Sequence, residues 1–205
     1  MCWSATADLV AGSGIAAIGV ACVARVRRVR DLPIAALPLL LGVHQVIESV
    51  VWRSHGDAEP AITAWAVIAL PVLPFWVPFG VLLAAPRSAR RQLLIPAAVG
   101  LVTAVTLAYL LATRPVNAII RGHTVGYGID LPRSSLIIAG YLVATIGSLL
   151  LSGDRWLRLL GGLVAAGALI CLMAWRLEFV STWCAFAAAA SVVILAWVPR
   201  RPAGP

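Results

Sequence analysis

Seven apolar runs, each about as long as a bilayer is thick and each closed by arginine, proline or a polar cluster, dominate the chain. A helix needs about 20 mostly apolar residues to cross the hydrocarbon layer, where only helices and closed barrels satisfy their own backbone amides. The runs cover residues 5–24, 33–52, 61–85, 93–113, 135–152, 156–175 and 177–198. They leave almost nothing for a water-soluble domain, so residues 1–205 read as one transmembrane domain, an all-α bundle of seven helices. Composition agrees: 61% of residues are hydrophobic and 12% charged, against roughly a half and a quarter in soluble domains.

The breaks are the arginine cluster from Arg25 to Arg30, the polar stretch 53–60, Pro86 to Gln92, a long segment 114–134, and Gly153-Asp154-Arg155. Only Trp175-Arg176 separates the last two runs, which predicts a tight helical hairpin. No basic residues precede the first run, so it reads as a retained helix rather than a cleaved signal. Cys2 stands before that run, whereas a bacterial lipoprotein signal places its cysteine after it.

Cytoplasmic loops are expected to hold the excess of positive residues. The net charge of +8 is carried by arginine alone, for the chain has no lysine. One set of alternate loops and ends holds eleven: Arg25, Arg27, Arg28, Arg30, Arg87, Arg90, Arg91, Arg155, Arg158, Arg200 and Arg201. The other holds five: Arg53, Arg114, Arg121, Arg133 and Arg176. The N-terminus is therefore expected outside and the C-terminus in the cytoplasm. The basic balance is a topology signal with some attraction for anionic lipid, not a mark of nucleic-acid binding. Arginine without lysine and abundant alanine suggest a GC-rich bacterial genome and a bacterial inner membrane. Trp156 and Trp197 then fall at inner helix ends, and Trp3, Trp52, Trp65 and Trp175 at outer ones, as headgroup anchors do.

Small residues recur at helical spacing: Gly12, Ala16 and Gly19, then Gly162 with Ala166, then Ala185 with Ala189. Such stripes let helices approach closely in lipid. Pro71, Pro74 and Pro78 each remove a backbone hydrogen bond, so the third helix should be kinked or locally unwound. Broken helices can line transporter sites, and bent packing helices have the same signature. Asp31-Leu32-Pro33 and Asp130-Leu131-Pro132 open the second and fifth runs, which hints at an inverted repeat; Asp before Pro is also an ordinary helix-start signal.

Ionisable groups are costly inside a bilayer and so point to function. His44 and Glu48 are four apart on one helical face with Gln45 beside them. Asp8 lies near the outer end of the first helix. Glu178 opens the last one, followed inward by Ser181, Thr182 and Cys184. His123 and Tyr127 belong to the glycine-rich, moderately apolar segment 114–134, which could fold back as a lid. All of these are expected in the outer half. Carboxylate and imidazole both ligate zinc and similar divalent metals, so Cys2, His44, Glu48, His123 and Glu178 form a candidate metal set. The same spacing suits a buried hydrogen-bonded pair that fixes packing, or a proton or substrate path. Cys2, exposed as an N-terminal residue after methionine trimming, would carry a thiol beside a free amine and could chelate or act as a nucleophile. A retained Met1, or a disulfide to Cys171 or Cys184, is the alternative. Cys22 reads as a core residue.

Met1-Cys2-Trp3-Ser4-Ala5, His44-Gln45 with Glu48 and Trp52, and Glu178 followed by Ser181-Thr182-Trp183-Cys184 resemble a group of uncharacterised polytopic bacterial membrane proteins. Those proteins begin Met-Cys-aromatic-Ser-Ala and carry a His-Gln-x-x-Glu helix. The likeness implies that the outer polar cluster is the shared feature, and it implies no activity. Seven helices and a zinc site also occur in alkaline ceramidase-like hydrolases, whose histidine pattern this chain lacks.

Two functions are expected from these residues. In one, the outer site holds a metal and hydrolyses a lipid-like substrate, with Glu48, Glu178 or Cys2 as catalytic candidates and metal-activated water as nucleophile. In the other, the chain is a non-enzymatic receptor, accessory subunit or small transporter, whose cluster fixes packing or binds a small-molecule ligand. No Gly-x-Ser-x-Gly, His-Glu-x-x-His, phosphate-binding loop or Cys-x-x-Cys motif is present.

Overall fold

The computed structural model describes residues 4–121, 124–174 and 185–201. Among them stand seven helices: α1 (Ala5–Ala24), α2 (Val29–Arg53), α3 (Glu59–Ala84), α4 (Arg87–Thr113), α5 (Ser134–Leu150), α6 (Arg155–Ala174) and α7 (Ala185–Trp197). Four of them, α1 to α4, are long and apolar enough to cross a bilayer. Large apolar side chains such as Ile95, Val102 and Val105 stand 68%, 67% and 61% exposed around the bundle. A soluble chain would bury such a belt; here it marks a membrane protein.

α1 and α2 run antiparallel in close contact because glycine removes the side chains between them. A Cβ on Gly19 would meet the Leu39 backbone nitrogen at 2.3 Å, and one on Gly42 the Ala16 nitrogen at 2.5 Å. The first small-residue stripe is therefore a packing seam. The others are displaced. Gly162 faces open space, while its neighbour Gly161 abuts Leu149 and Leu150. On α7 the buried positions are Ala187, Ala190, Ser191, Ile194 and Trp197, and Ala189 is exposed. Stripe residues are small on more than one face of these alanine-rich helices, so spacing alone could not select the buried one.

The prolines of α3 are accommodated without breaking it. Residues Ile68–Val72 form one π-helical turn around Pro71, the usual way of absorbing a lost i→i−4 bond. Tyr141 of α5 donates its hydroxyl to the Ala69 carbonyl at 2.8 Å. One turn on, Gly100 of α4 comes so near the Pro74 carbonyl that a Cβ there would lie 2.2 Å from the oxygen. That carbonyl is the group Pro78 has no N–H to bond. The expected local unwinding is thus a π turn inside a packing helix. A second π turn, Val143–Gly147, interrupts α5.

The all-α expectation misses one element. Asn117–Arg121 (β1) and Thr124–Gly128 (β2) pair as an antiparallel hairpin in register Ala118 with Tyr127 and Ile120 with Val125. Those four residues form its inward face, with Val125 fully buried against Val51 and Ile62. The inward positions alternate in the sequence, as strand geometry demands. The hairpin rests on the end of α2, where Gly56 at φ +87° closes the helix and its N–H bonds the Val51 carbonyl at 3.0 Å. A Cβ there would lie 2.7 Å from the Ala118 carbonyl oxygen, so both the left-handed conformation and the hairpin contact require glycine.

At the opposite end of the bundle the helices are tied by ions. Arg201 donates to both carboxylate oxygens of Asp31, at 3.1 and 3.0 Å, to Asp154 Oδ2 at 3.3 Å and to the Ala84 carbonyl at 2.6 Å. Trp197 Nε1 donates to the same Asp154 oxygen at 3.2 Å. Asp31 stands at the N-cap of the helical segment Leu32–Ala35 with proline in its first turn, as the helix-start reading expects, but neither Asp31 nor Asp130 caps a helix by its side chain. Asp130 instead pairs with Arg114 at the surface. The two Asp-Leu-Pro segments do unlike work, and nothing in their contacts supports an inverted repeat. Around the ion network lies the main apolar core, including Cys22, Ile34, Val81, Leu93, Leu157, Leu160 and Ile194.

Candidate functional site

Antiparallel packing of α1 on α2 decides which polar residues meet. Gly12 abuts the Cβ of Gln45 and the Gly42 carbonyl, so Asp8, one turn nearer the start of α1, falls opposite the last turns of α2. There it lies beside Trp52 and within electrostatic reach of His44. Asp8 and Glu48 have no exposed surface, and His44 and Gln45 are 3% and 2% exposed. The i, i+4 face read from the sequence is real, and Asp8 joins it from the neighbouring helix.

Aromatic rings wall this cluster. The His44 ring centre is 4.9 Å from that of Trp65, tilted by 35°. Trp65 in turn stacks on Tyr127 of the hairpin, with centroids 3.4 Å apart and planes within 9°. The segment expected as a lid therefore does cover the site, through Tyr127. Trp52 and Trp65, read from the sequence as headgroup anchors, are instead site walls; their ring identity was visible but their pairing was not.

Hydrogen bonding inside the cluster is incomplete among the described residues. Both carboxyl oxygens of Asp8 and Oε1 of Gln45 are buried without a partner. The Trp52 N–H faces Asp8 without reaching hydrogen-bond geometry, and the Trp65 N–H also has no acceptor. Unpartnered buried polar atoms are rare and costly, and each calls for an explanation. Ser49, equally buried, is satisfied by the Val46 carbonyl at 2.7 Å.

Among the described residues no three His, Cys, Asp or Glu side chains come together as a metal-ligand group. Cys2, His123 and Glu178 of the candidate set lie outside the described residues, as do Ser181, Thr182, Cys184 and the Trp175-Arg176 turn; of Cys171 only the backbone is described. His44 and Glu48 are the members the structure places together. Cys22 is a free thiol in the apolar core.

Beside the aromatic wall opens a cavity of about 540 Å³ lined by Gly56, Asp57, Glu59, Ile62, Thr63 and Arg114, among others. Its Val116, like Tyr127, packs against the buried group Trp65, Ala66 and Ala69, so the cavity and the buried cluster share a wall.

The family model whose description is "Family of unknown function (DUF6629)" matches residues 1–205. The chain belongs to this family. Full-length coverage agrees with the expected membership of a family of unknown function and assigns no reaction. No curated protein and no solved structure matches the sequence.

Proposed function

We propose that the protein crosses the cell membrane seven times, N-terminus outside and C-terminus in the cytoplasm, and binds a small cation at the Asp8–His44–Gln45–Glu48 cluster in the outer half of the bundle. The arginine count of eleven against five supports that orientation, and a bacterial inner membrane fits the composition. The observation that carries the binding reading is the pair of acceptors, Asp8 and Gln45, buried on facing helices beside His44 and Glu48 and without a partner among the described residues. Carboxylate and amide oxygens with imidazole ligate a divalent metal, and the Trp52 and Trp65 rings suit an organic ammonium. Asp57 and Glu59 at the neighbouring cavity would raise cation concentration at its mouth. Were the cation zinc, such a site could supply the parts for hydrolysis of a lipid-like substrate, with metal-activated water as nucleophile and Glu48 as base.

The test is elemental analysis of the purified protein, followed by calorimetric titration with Zn²⁺, Mg²⁺ and ethanolamine. One of the three is expected to bind. Asp8→Asn should weaken it by about tenfold, the loss of one charge-assisted contact, without unfolding the protein. A combined His44→Gln, Glu48→Leu variant should keep its thermal stability while losing the ligand. Absence of binding by all three probes, together with unfolding of the double variant, would leave the cluster a packing device and sink the proposal.

A further inference from the structure

At the opposite end of the molecule from this cluster, a cavity of about 420 Å³ is lined by Asp154, Arg155, Trp156, Trp197, Arg200 and Arg201. It sits where the start of α6 meets the 3-10 turn Val198–Arg200 that follows α7. Its floor is already neutralised, because Arg201 is committed to Asp31 and Asp154. The start of α6 is also spoken for: Asp154 Oδ1 accepts from the Trp156 and Leu157 backbone N–H groups at 2.8 and 3.3 Å. What remains unspent is a set of donors. Arg155 and Arg200 are exposed and have no carboxylate partner among the described residues; Arg200 gives only one N–H, to the Ala196 carbonyl of its own turn. Both lie over the Trp156 ring, at 5.8 and 4.5 Å from its centre, so the indole holds the two guanidinium groups on one side of the cavity. The indole Nε1–H of Trp156 is itself buried without an acceptor among the described residues.

Two held guanidinium groups and an orphaned indole donor around a cavity of this size call for a compact anion with several acceptor oxygens. We infer that this cavity binds a phosphate group, with Arg155 and Arg200 as its charged donors and the Trp156 N–H as a third. Guanidinium favours phosphate because its planar fork matches two phosphate oxygens at once. Arg201 would contribute mainly field, since all but one of its N–H donors are given to Asp31, Asp154 and the Ala84 carbonyl. A phosphate there could belong to the headgroup of an acidic phospholipid, for basic pockets between membrane helices take such headgroups, or to a soluble phosphate.

The test reconstitutes the full chain in nanodiscs of neutral lipid containing a minor fraction of phosphatidylglycerol, and measures retained lipid by native mass spectrometry. Parallel arms offer inorganic phosphate and glycerol phosphate to the protein in phosphate-free detergent, read by quenching of tryptophan fluorescence. Arg155→Gln with Arg200→Gln should lower anion retention by about tenfold, whereas Arg87→Gln with Arg91→Gln, the same charge loss elsewhere on that end, should change it by less than about twofold. Trp156→Phe keeps the ring under the arginines but removes the N–H, and is expected to weaken binding by about threefold to tenfold. Retention of phosphatidylglycerol without response to the soluble probes identifies the lipid as the source, and the reverse identifies a soluble phosphate. Equal losses in the two double variants, or no preference for either anion over neutral lipid, would overturn the site.

Discussion

Two aspartates in the same tripeptide context show how much burial decides. Asp31 and Asp130 each precede Leu-Pro, yet Asp31 has 3% side-chain exposure in its pair with Arg201 and Asp130 has 88% in its pair with Arg114. Removing one partner of a buried pair strands the other charge, at a cost of about 3–5 kcal/mol; a surface pair is worth about 0–1 kcal/mol. Asp31→Asn should therefore lower the thermal unfolding temperature of the detergent-purified protein clearly, while Asp130→Asn leaves it within about a degree or two. Similar losses from both would mean that the Arg201 network contributes no more than a surface contact. Sequence reading reached neither outcome, because Asp31 and Arg201 are 170 residues apart and no periodicity links them. By contrast, His44 and Glu48 were legible as a pair, since spacing on one helix determines which residues share a face. Asp8 joined them only through the helix packing.

At the scale of elements, hydropathy located the helices well because the bilayer demands long uninterrupted apolar runs. α1 matches its run end to end, and α3, Glu59–Ala84, lies within two residues of the expected 61–85 at either end. The hairpin escaped notice since segment 114–134 mixes glycine, arginine and isoleucine, and its alternation covers only a few residues per strand. Glycines needed the partner helix to be interpreted. Gly42 is pressed against the Ala16 backbone, whereas Gly14 has nothing within 4 Å. Gly42→Ala must push two backbones apart and should destabilise by about 1–3 kcal/mol. Gly14→Ala meets no obstacle and, by its better helix propensity, should be neutral or stabilising by up to about 1 kcal/mol. Thermal unfolding of the two variants side by side checks this; a Gly42→Ala protein as stable as the parent would mean that the α1–α2 seam can relax.

Across the whole molecule the polar groups divide between two ends. Asp8, His44, Glu48, Trp65 and the hairpin gather where α1 begins; Asp31, Asp154, Arg201 and the Trp156 cavity gather where α1 ends and α7 finishes. The start of α1 and the turn after α7 thus lie at opposite ends of the bundle, which an odd number of crossings requires and an even number forbids. Four helices qualify as spans by length and composition, and the proposed seven crossings add α5, α6 and α7 beside them. The proposed orientation puts the arginine-rich end in the cytoplasm, because basic loops resist translocation. Single cysteines at exposed positions, placed in a chain whose native cysteines are serine, test both statements in intact cells. Asp57→Cys, beside the hairpin, should react with a membrane-impermeant maleimide, while Arg91→Cys and Arg158→Cys should react only after the cells are opened. The reverse pattern would invert the orientation, moving the proposed cation site to the cytoplasmic side. Labelling of Asp57 and Arg158 from the same side would remove the odd number of crossings, since these residues flank opposite ends of the bundle.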